Sequence, residues 1–213
     1  MTTETNPSLK EQQQELTKDL AKEVILRGLA DVILEEGVHA FSVQAVADRA
    51  GVSHRTVYRH FSTREELLEG LSLWFDKRLG DLGLPNEPGN PGEILDTLPK
   101  IFTILDNEDH MSRAMARVGL TTDIETERRA NRTQVFRERI REIAPDLDDD
   151  EFEAAFAVIR SVASTQQWFI LREQFGLDGD RSGPAVTHAV KVLIDDLRAR
   201  NDAVIAKNEE TKR

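Results

Sequence analysis

Residues 42–67 constrain the fold more than any other part of this chain, because they predict two short helices joined by a tight turn. Gly51 lies between the two helices, where a helix often ends in a left-handed residue that glycine adopts at little cost. Ser53 follows, and its hydroxyl can cap the second helix by accepting a backbone N–H. Apolar residues recur at helical spacing in the first helix and indicate one buried face, at Val43, Val46, Ala47 and Ala50.

The second short helix has apolar residues on one side and hydrogen-bond donors on the other. Val57 and Phe61 point inward, and together with Phe41 they predict a small three-helix core. The donors on the exposed side are His54, Arg55, Thr56, Tyr58, Arg59 and His60. Two helices joined by so short a turn, with donors concentrated on the second, are typical of a helix-turn-helix DNA-binding unit.

The same segment resembles the N-terminal signature of TetR-type repressors, a resemblance that covers roughly the first third of the chain. The matching residues are Ser42 with Val46-Ala47, Ala50-Gly51-Val52-Ser53, Thr56-Val57-Tyr58-Arg59-His60-Phe61 and Arg64-Glu65-Glu66-Leu67. The chain departs from the family pattern by having serine at 42, valine at 46 and arginine at 64, and each exchange keeps the chemistry of the position.

Side chains in the first turn of a recognition helix reach base edges, so His54 and Arg55 are the predicted base contacts. Arg55 can pair with guanine through two hydrogen bonds, worth about 1–3 kcal/mol against a wrong base. The predicted phosphate contacts are the donors on the flanks: Ser42, Gln44, Thr56, Tyr58, Arg59, His60 and Arg64. By resemblance, the positions of Ser42, Thr56, Tyr58, His60 and Arg64 contact phosphates in the family, whereas those of His54 and Arg55 vary and set sequence preference.

Each of these assignments has a structural alternative. Tyr58 could complete the small core, Arg49 and Arg64 could be ordinary solvated charges, and His60 could form only local hydrogen bonds. The number of donors on one short helix favours the functional interpretation.

Taken alone, the formal net charge of −11 argues against a nucleic-acid partner. However, between residues 42 and 64 arginines outnumber the single acidic residue, Asp48, and acid is concentrated at residues 146–153. Because the Debye length is about 10 Å at about 0.1 M salt, distant acidic groups are largely screened. The local charge of residues 42–64 therefore remains compatible with DNA binding.

The periodicity along the chain predicts an all-α fold of about nine helices, with no convincing strand pattern. A long amphipathic helix includes Leu16, Leu20, Val24, Ile25, Leu29, Val32 and Ile33 and ends at Gly37. A fourth helix begins near Thr63, which forms a capping box with Glu66, and it ends near Leu79 before a Pro- and Gly-rich loop. The predicted organisation is a disordered tail (1–8), a DNA-binding domain with its linking fourth helix (9–80), a helical ligand-binding and dimerisation domain (81–206) and a second disordered tail (207–213).

Two long helices are predicted near the C-terminus, from Asp149 to Phe175 and from about Pro184 to Ile205. They resemble the pair with which TetR-type proteins build a dimeric four-helix bundle. The predicted dimer interface consists of Phe152, Phe156, Ile159, Ala163, Gln166, Ile170, Val186, Val190, Leu193 and Leu197.

The resemblance also implies a ligand pocket among the C-terminal helices. The candidate lining residues are Phe102, Leu105, Met111, Met115, Phe136, Phe156, Arg160, Trp168 and Leu171, although most could equally be plain core or dimer interface. Arg160 lies among apolar residues and needs a partner if it is buried. That partner could be Glu153, a carboxylate of the arginine-rich helix before Pro145, or an anionic ligand group, and we expect an internal partner.

The predicted function is therefore a ligand-responsive transcriptional regulator. We expect a homodimeric repressor that binds a palindromic operator in double-stranded DNA and is released by a small-molecule effector. A transcriptional activator of the same fold is the alternative, and a helical adaptor protein without DNA binding is a second one.

No enzyme class fits the sequence. A di-iron centre needs Glu-x-x-His pairs on helices, and Gly37 interrupts Glu36-x-x-His39, the one such pair in the chain. The absence of cysteine excludes thiolate metal sites and cysteine nucleophiles, and we expect no cofactor and no metal. The polar N-terminus and the lack of an apolar run of about 18 residues predict a soluble, cytoplasmic protein without a membrane partner.

Overall fold

The computed structural model describes residues 8–84, 89–122 and 127–211. Within these ranges the chain forms ten α-helices and no β-strand, which confirms the predicted all-α class. The helices are α1 (Leu9–Glu36), α2 (Val43–Ala50), α3 (His54–His60), α4 (Arg64–Asp81), α5 (Pro91–Asn107), α6 (Asp109–Thr121), α7 (Glu127–Arg141), α8 (Asp149–Val162), α9 (Thr165–Phe175) and α10 (Gly179–Thr211). The chain divides into two compact units, unit 1 up to Trp74 and unit 2 from Phe75.

The core of unit 1 is the small three-helix core that the sequence predicts. Phe41 and Val57 have no exposed surface, and Phe61 is nearly as deeply buried. The second half of α1 contributes Ile25 and Leu29, which are also completely buried. Burial of these side chains fixes α2 and α3 against α1, and it leaves the remaining face of α3 in solvent.

The N-terminal half of α1 differs from the prediction, because its apolar stripe does not pack. Leu16, Leu20 and Val24 are 61%, 55% and 44% exposed. The helix itself is confirmed and ends at Glu36, before Gly37, whose φ is 90°. Only from Ile25 onward does α1 have a buried face.

Helix α4 starts with the predicted capping box. Thr63 Oγ1 accepts a hydrogen bond from Glu66 N at 3.0 Å, and the Glu66 carboxylate accepts one from Ser62 N at 2.6 Å. The helix then continues to Asp81, and the boundary between the two units lies inside it, after Trp74. This boundary is earlier in the chain than the predicted division at residues 80 and 81.

Unit 2 is built around the packing of the long helix α10 along α5. Gly183 allows a close approach, because a Cβ at this position would lie 3.0 Å from Pro99 Cα. A Cβ on Gly179 would overlap the backbone of Phe102. Around this pair, α6 packs against α9, and α8 packs against α10 and α7.

Two predictions about the C-terminal helices are wrong. The helix expected from Asp149 to Phe175 is broken, because Ser164 caps a new helix by accepting from Gln167 N at 3.1 Å. Helix α10 starts at Gly179, before Pro184, and continues to Thr211, so residues 207–211 are helical and not a tail. Residues 1–7 and 212–213 of the predicted tails, and residues 85–88 of the predicted loop, lie outside the described residues.

None of the helices in the three described ranges has both the length and the apolarity that crossing a bilayer requires.

Candidate nucleic-acid interface

The turn between α2 and α3 is held by hydroxyl caps and by one left-handed glycine. Ser42 Oγ accepts from Ala45 N at 3.0 Å, and Ser53 Oγ accepts from Thr56 N at 3.1 Å. Gly51 ends α2 with a φ of 65°, in the left-handed region that favours glycine. These contacts set the direction in which α3 leaves the turn.

Helix α3 presents most of its predicted DNA contacts to solvent. His54, Arg55 and Arg59 are exposed, and Thr56 and His60 are half-buried. Tyr58 is 45% exposed and packs edge-on against His54 with a centroid distance of 4.7 Å. The alternative in which Tyr58 completes the core is therefore wrong.

Arg55 and Arg59 are the two arginines of α3, and neither guanidinium group forms an ion pair with another residue in the described ranges. Arg55 has no hydrogen-bond or ion-pair partner within residues 8–84, 89–122 and 127–211. Arg59 approaches His60, with 3.5 Å between Arg59 Nη2 and His60 Nε2, and makes no ion pair in the same ranges. Both guanidinium groups can therefore donate to a phosphate or a base without breaking an internal ion pair.

Three of the predicted phosphate contacts are engaged locally. The Ser42 hydroxyl caps α2, and Gln44 Nε2 donates to Asp48 Oδ1 at 2.7 Å. Thr56 Oγ1 lies 2.8 Å from Ser53 Oγ. A hydroxyl has further hydrogen-bonding capacity, so these contacts with DNA stay predictions.

Arg64 and Arg49 have structural partners instead of open surfaces. The Arg64 guanidinium lies over the Phe41 ring, 4.0 Å from its centroid, and donates to the carbonyls of Phe41, Val38 and His39. This geometry does not favour the predicted phosphate contact of Arg64. Arg49 is bound by Glu35, which it also hydrogen-bonds, and by Asp31 on α1.

The pKa of His60 is lowered from its ordinary value. Partial burial is the largest cause, and the positive charges of Arg59, Lys22 and Lys18 add to it. His60 is therefore largely neutral near pH 7 in the absence of DNA. Lys18 and Lys22 were not singled out in the sequence, although their i, i+4 spacing in register with Ile25 indicates that they share a face.

Most residues of the predicted dimer interface lie inside the single chain. Six of its residues are buried within a single chain and form the core of unit 2, so they offer little surface to a partner: Phe152, Phe156, Ile159, Val186, Val190 and Leu197. Four are half-buried: Ala163, Gln166, Ile170 and Leu193. The apolar stripes along α8 and α10 are present as predicted, but they face neighbouring helices of the same chain.

The exposed sides of α8 and α10 carry small or apolar residues among charged ones. On α8 they are Ala154, Ala157, Val158 and Ser161, and on α10 they are Ala185, Ala189, Val192, Ala199 and Ala203. Val158 and Val192 are 51% and 52% exposed. We refer to these nine residues as the α8/α10 surface.

The predicted pocket residues are gathered in the interior of unit 2. Seven are buried: Phe102, Leu105, Met111, Met115, Phe136, Phe156 and Trp168. Leu171 and Arg160 are half-buried. Phe136 and Phe156 meet edge to face at 5.6 Å, which shows a packed contact at that point.

Several polar groups inside unit 2 have specific partners. Trp168 Nε1 donates to Asp106 Oδ1 at 2.8 Å, and Arg160 donates to the carbonyl of Ala163 at 3.4 Å. Glu153, a partner proposed for Arg160, is bound by Arg137. The hydroxyl of Ser112 on α6 is completely buried and has no hydrogen-bond partner in the described part of the chain.

Comparison with known proteins places this geometry in context. Residues 25–71 match the family model described as bacterial regulatory proteins, tetR family. The HTH-type transcriptional activator FasR of Mycolicibacterium smegmatis is 38% identical over 52 residues, which span 24% of this chain and 24% of that relative.

Two solved structures share the fold over most of the chain. NalD, the secondary repressor of the MexAB-OprM multidrug efflux pump in Pseudomonas aeruginosa, has a TM-score of 0.56 and 18% identity, over 81% of this chain and 94% of NalD. FadR from Bacillus subtilis, solved in complex with stearoyl-CoA, has a TM-score of 0.52 and 15% identity, over 82% of this chain and 96% of FadR. At such identities the two structures show a common fold.

Proposed function

Because residues 25–71 match the family model described as bacterial regulatory proteins, tetR family, we propose that this chain is a transcriptional regulator that binds double-stranded DNA as a homodimer. The proposal includes release from a palindromic operator by a small-molecule effector. No catalytic step is part of this function.

The observation that carries the proposal is the exposed face of α3. Arg55 and Arg59 are solvent-exposed and make no ion pair within the described ranges, and they stand on a helix whose other face is buried. A helix anchored in this way can enter the major groove with its first turn toward base edges. Arg55 then reads a guanine, and Arg59, Tyr58 and His60 bind the flanking phosphates.

A dimer follows from the affinity that an operator requires. One short recognition helix buries too little surface for specific binding, whereas two helices about 34 Å apart read two half-sites. We propose that the α8/α10 surface forms the contact between subunits. Its alanines allow two helix pairs to approach closely, and Val158 and Val192 supply apolar area that is exposed in the single chain.

We place the effector in the interior of unit 2. The buried hydroxyl of Ser112 supports this choice, because a buried polar group without a partner is costly and a ligand can supply one. Met111 and Met115 lie beside it on α6 and are adaptable in shape. Release of the operator needs a coupling of only a few kcal/mol between the two binding events.

Repression of transcription is the simpler mode of regulation, because binding to the operator is sufficient to block transcription. NalD is named as a repressor, whereas FasR is named as an activator, and the identity to FasR makes activation the second candidate. Transcription from a bound promoter in vitro distinguishes the two, since an activator raises the yield of transcript and a repressor lowers it.

A binding selection from random duplex DNA with the purified protein tests the proposal. We expect an inverted repeat with half-sites about one helical turn apart. Arg55→Gln should relax the preference at one position per half-site by about 1–3 kcal/mol, whereas Arg59→Gln should weaken all sequences alike. Failure to bind any duplex at low salt would exclude the proposed function.

A further inference from the structure

The N-terminal half of α1 is a surface that the proposed function does not use. Residues 9–20 are helical, and every one of them whose side chain is described is exposed. A helical segment without tertiary packing gains little stability of its own. The exposed side chains of this segment are therefore not needed for packing and can contact a binding partner.

By helical register, Lys18 and Lys22 extend the side of α1 that packs into the core of unit 1. Lys18 and Lys22 continue, at spacings of four and three, the row that ends in the buried residues Ile25 and Leu29. Ile25 and Leu29 lie in the core that also holds Val57 of α3. The electrostatic effect of both lysines on His60, which ends α3, agrees with this placement.

The charge of unit 1 shows why these lysines matter. Acidic side chains outnumber basic ones in residues 8–74, so unit 1 has no general cationic character to attract DNA. Arg49 is held by Glu35 and Asp31, Arg64 by backbone carbonyls, and Arg27 by Glu23. Helix α3 alone therefore provides two arginines, Arg55 and Arg59, as cationic contacts for DNA.

We propose that Lys18 and Lys22 bind DNA phosphates, so that the phosphate-contacting surface continues from the end of α3 onto the N-terminal half of α1. This inference rests on the proposed function. Lys22 has no ion pair in the described ranges, and Lys18 is paired only with Glu15, at 3.2 Å with both side chains more than half exposed. A pair so exposed to solvent contributes little, and a phosphate can replace Glu15 as the partner.

The salt dependence of DNA binding tests the proposal. Each phosphate contact contributes about −0.9 to the slope of log K against log salt concentration. We would titrate the full-length protein into a fluorescently labelled, random-sequence 40-bp duplex at several salt concentrations. The double variant Lys18→Gln/Lys22→Gln should reduce the magnitude of the slope by about 1.8 per bound subunit and weaken binding most at low salt.

Matched variants separate a local contact from a change in net charge. Lys100→Gln/Lys207→Gln removes the same charge from exposed positions of unit 2 and should leave the slope unchanged. Glu15→Gln should strengthen binding, because it frees Lys18 and removes an acidic group beside the phosphate. Circular-dichroism melting should show that all three variants keep the stability of the parent, since the four lysines and Glu15 are exposed.

Two results would overturn the inference in distinguishable ways. If the parent protein binds duplex DNA and the two double variants have the same slope, Lys18 and Lys22 do not contact phosphate and the proposed function stands. If the parent protein binds no duplex at low salt, the proposed function fails and this inference fails with it.

Discussion

Arg64 illustrates at the scale of a single residue how a family position can hold a different partner from the expected one. Its guanidinium lies over Phe41 and donates to three carbonyls between Val38 and Phe41. The residue thus fixes the segment that leads into α2. Sequence alone could not separate this task from a phosphate contact, because both use the same donors.

We expect Arg64→Gln to lower the free energy of unfolding by about 1–3 kcal/mol, since it leaves part-buried carbonyls without a charged donor. The salt slope of DNA binding should stay that of the parent. Chemical denaturation and the salt titration measure the two effects. A variant with full stability and a reduced slope would restore Arg64 as a phosphate contact.

His60 gives a prediction for the effect of pH. Burial and the charges of Arg59, Lys22 and Lys18 lower its pKa in the free protein, whereas a nearby phosphate would raise it in the complex. Binding then takes up a proton, so affinity should rise as the pH falls from about 8 to about 6.

The variant His60→Gln isolates the contribution of this imidazole. Its affinity for DNA should depend less on pH than that of the parent in the same fluorescence titration. Equal pH dependence in the two proteins would show that His60 lies away from phosphate.

At the scale of the helices, most of the fold could be predicted from the sequence. The caps at Ser42, Ser53 and Thr63 and the left-handed Gly51 are local signals, and they predicted α2, α3 and the start of α4. The break between α8 and α9 also has a local signal, Ser164 followed by Gln167, but the continuous apolar stripe concealed it. An apolar stripe shows that a face is covered, but it does not show which element covers it. For that reason the stripes of α8 and α10 that were predicted as a contact between subunits are largely buried within the single chain, and Leu16 and Leu20 of the predicted amphipathic helix are exposed.

Gly51 sets the turn between α2 and α3 through its backbone conformation. No atom lies within 4 Å of an added Cβ, so the cost of Gly51→Ala comes from the left-handed φ alone. We expect a loss of about 1–2 kcal/mol in the free energy of unfolding, measured by chemical denaturation. Gly51→Asn is the matched control and should lose less, because asparagine tolerates this region better. An alanine variant as stable as the parent would contradict the assigned φ.

At the scale of the whole molecule, the assembly is the feature that sequence predicted least well. The sequence led to a dimer through the C-terminal helices, and we retain that proposal with the α8/α10 surface in place of the buried stripe. Which side of a helix faces a partner depends on how the chain packs on itself. That packing follows from contacts distant in sequence, such as the approach of α10 to α5.

The dimer contact is tested by Val158→Asp and Val192→Asp. A charge placed in an apolar contact between subunits should weaken the dimer at least tenfold, a loss of about 1.4 kcal/mol or more. Analytical ultracentrifugation measures the dissociation constant. Leu120→Asp is the control, because Leu120 is 54% exposed on α6, outside the proposed contact. If only the control variant became monomeric, the interface would have to be sought around α6.

The crossing of α10 over α5 has a consequence for how this molecule can diverge. Helix pairs usually adjust their separation as the side chains between them change in volume. At Gly183 and Pro99 that adjustment is blocked, because main chain faces main chain and a single methyl group already reaches contact distance. Homologues should therefore vary around this crossing while the distance between the two helix axes is inherited unchanged.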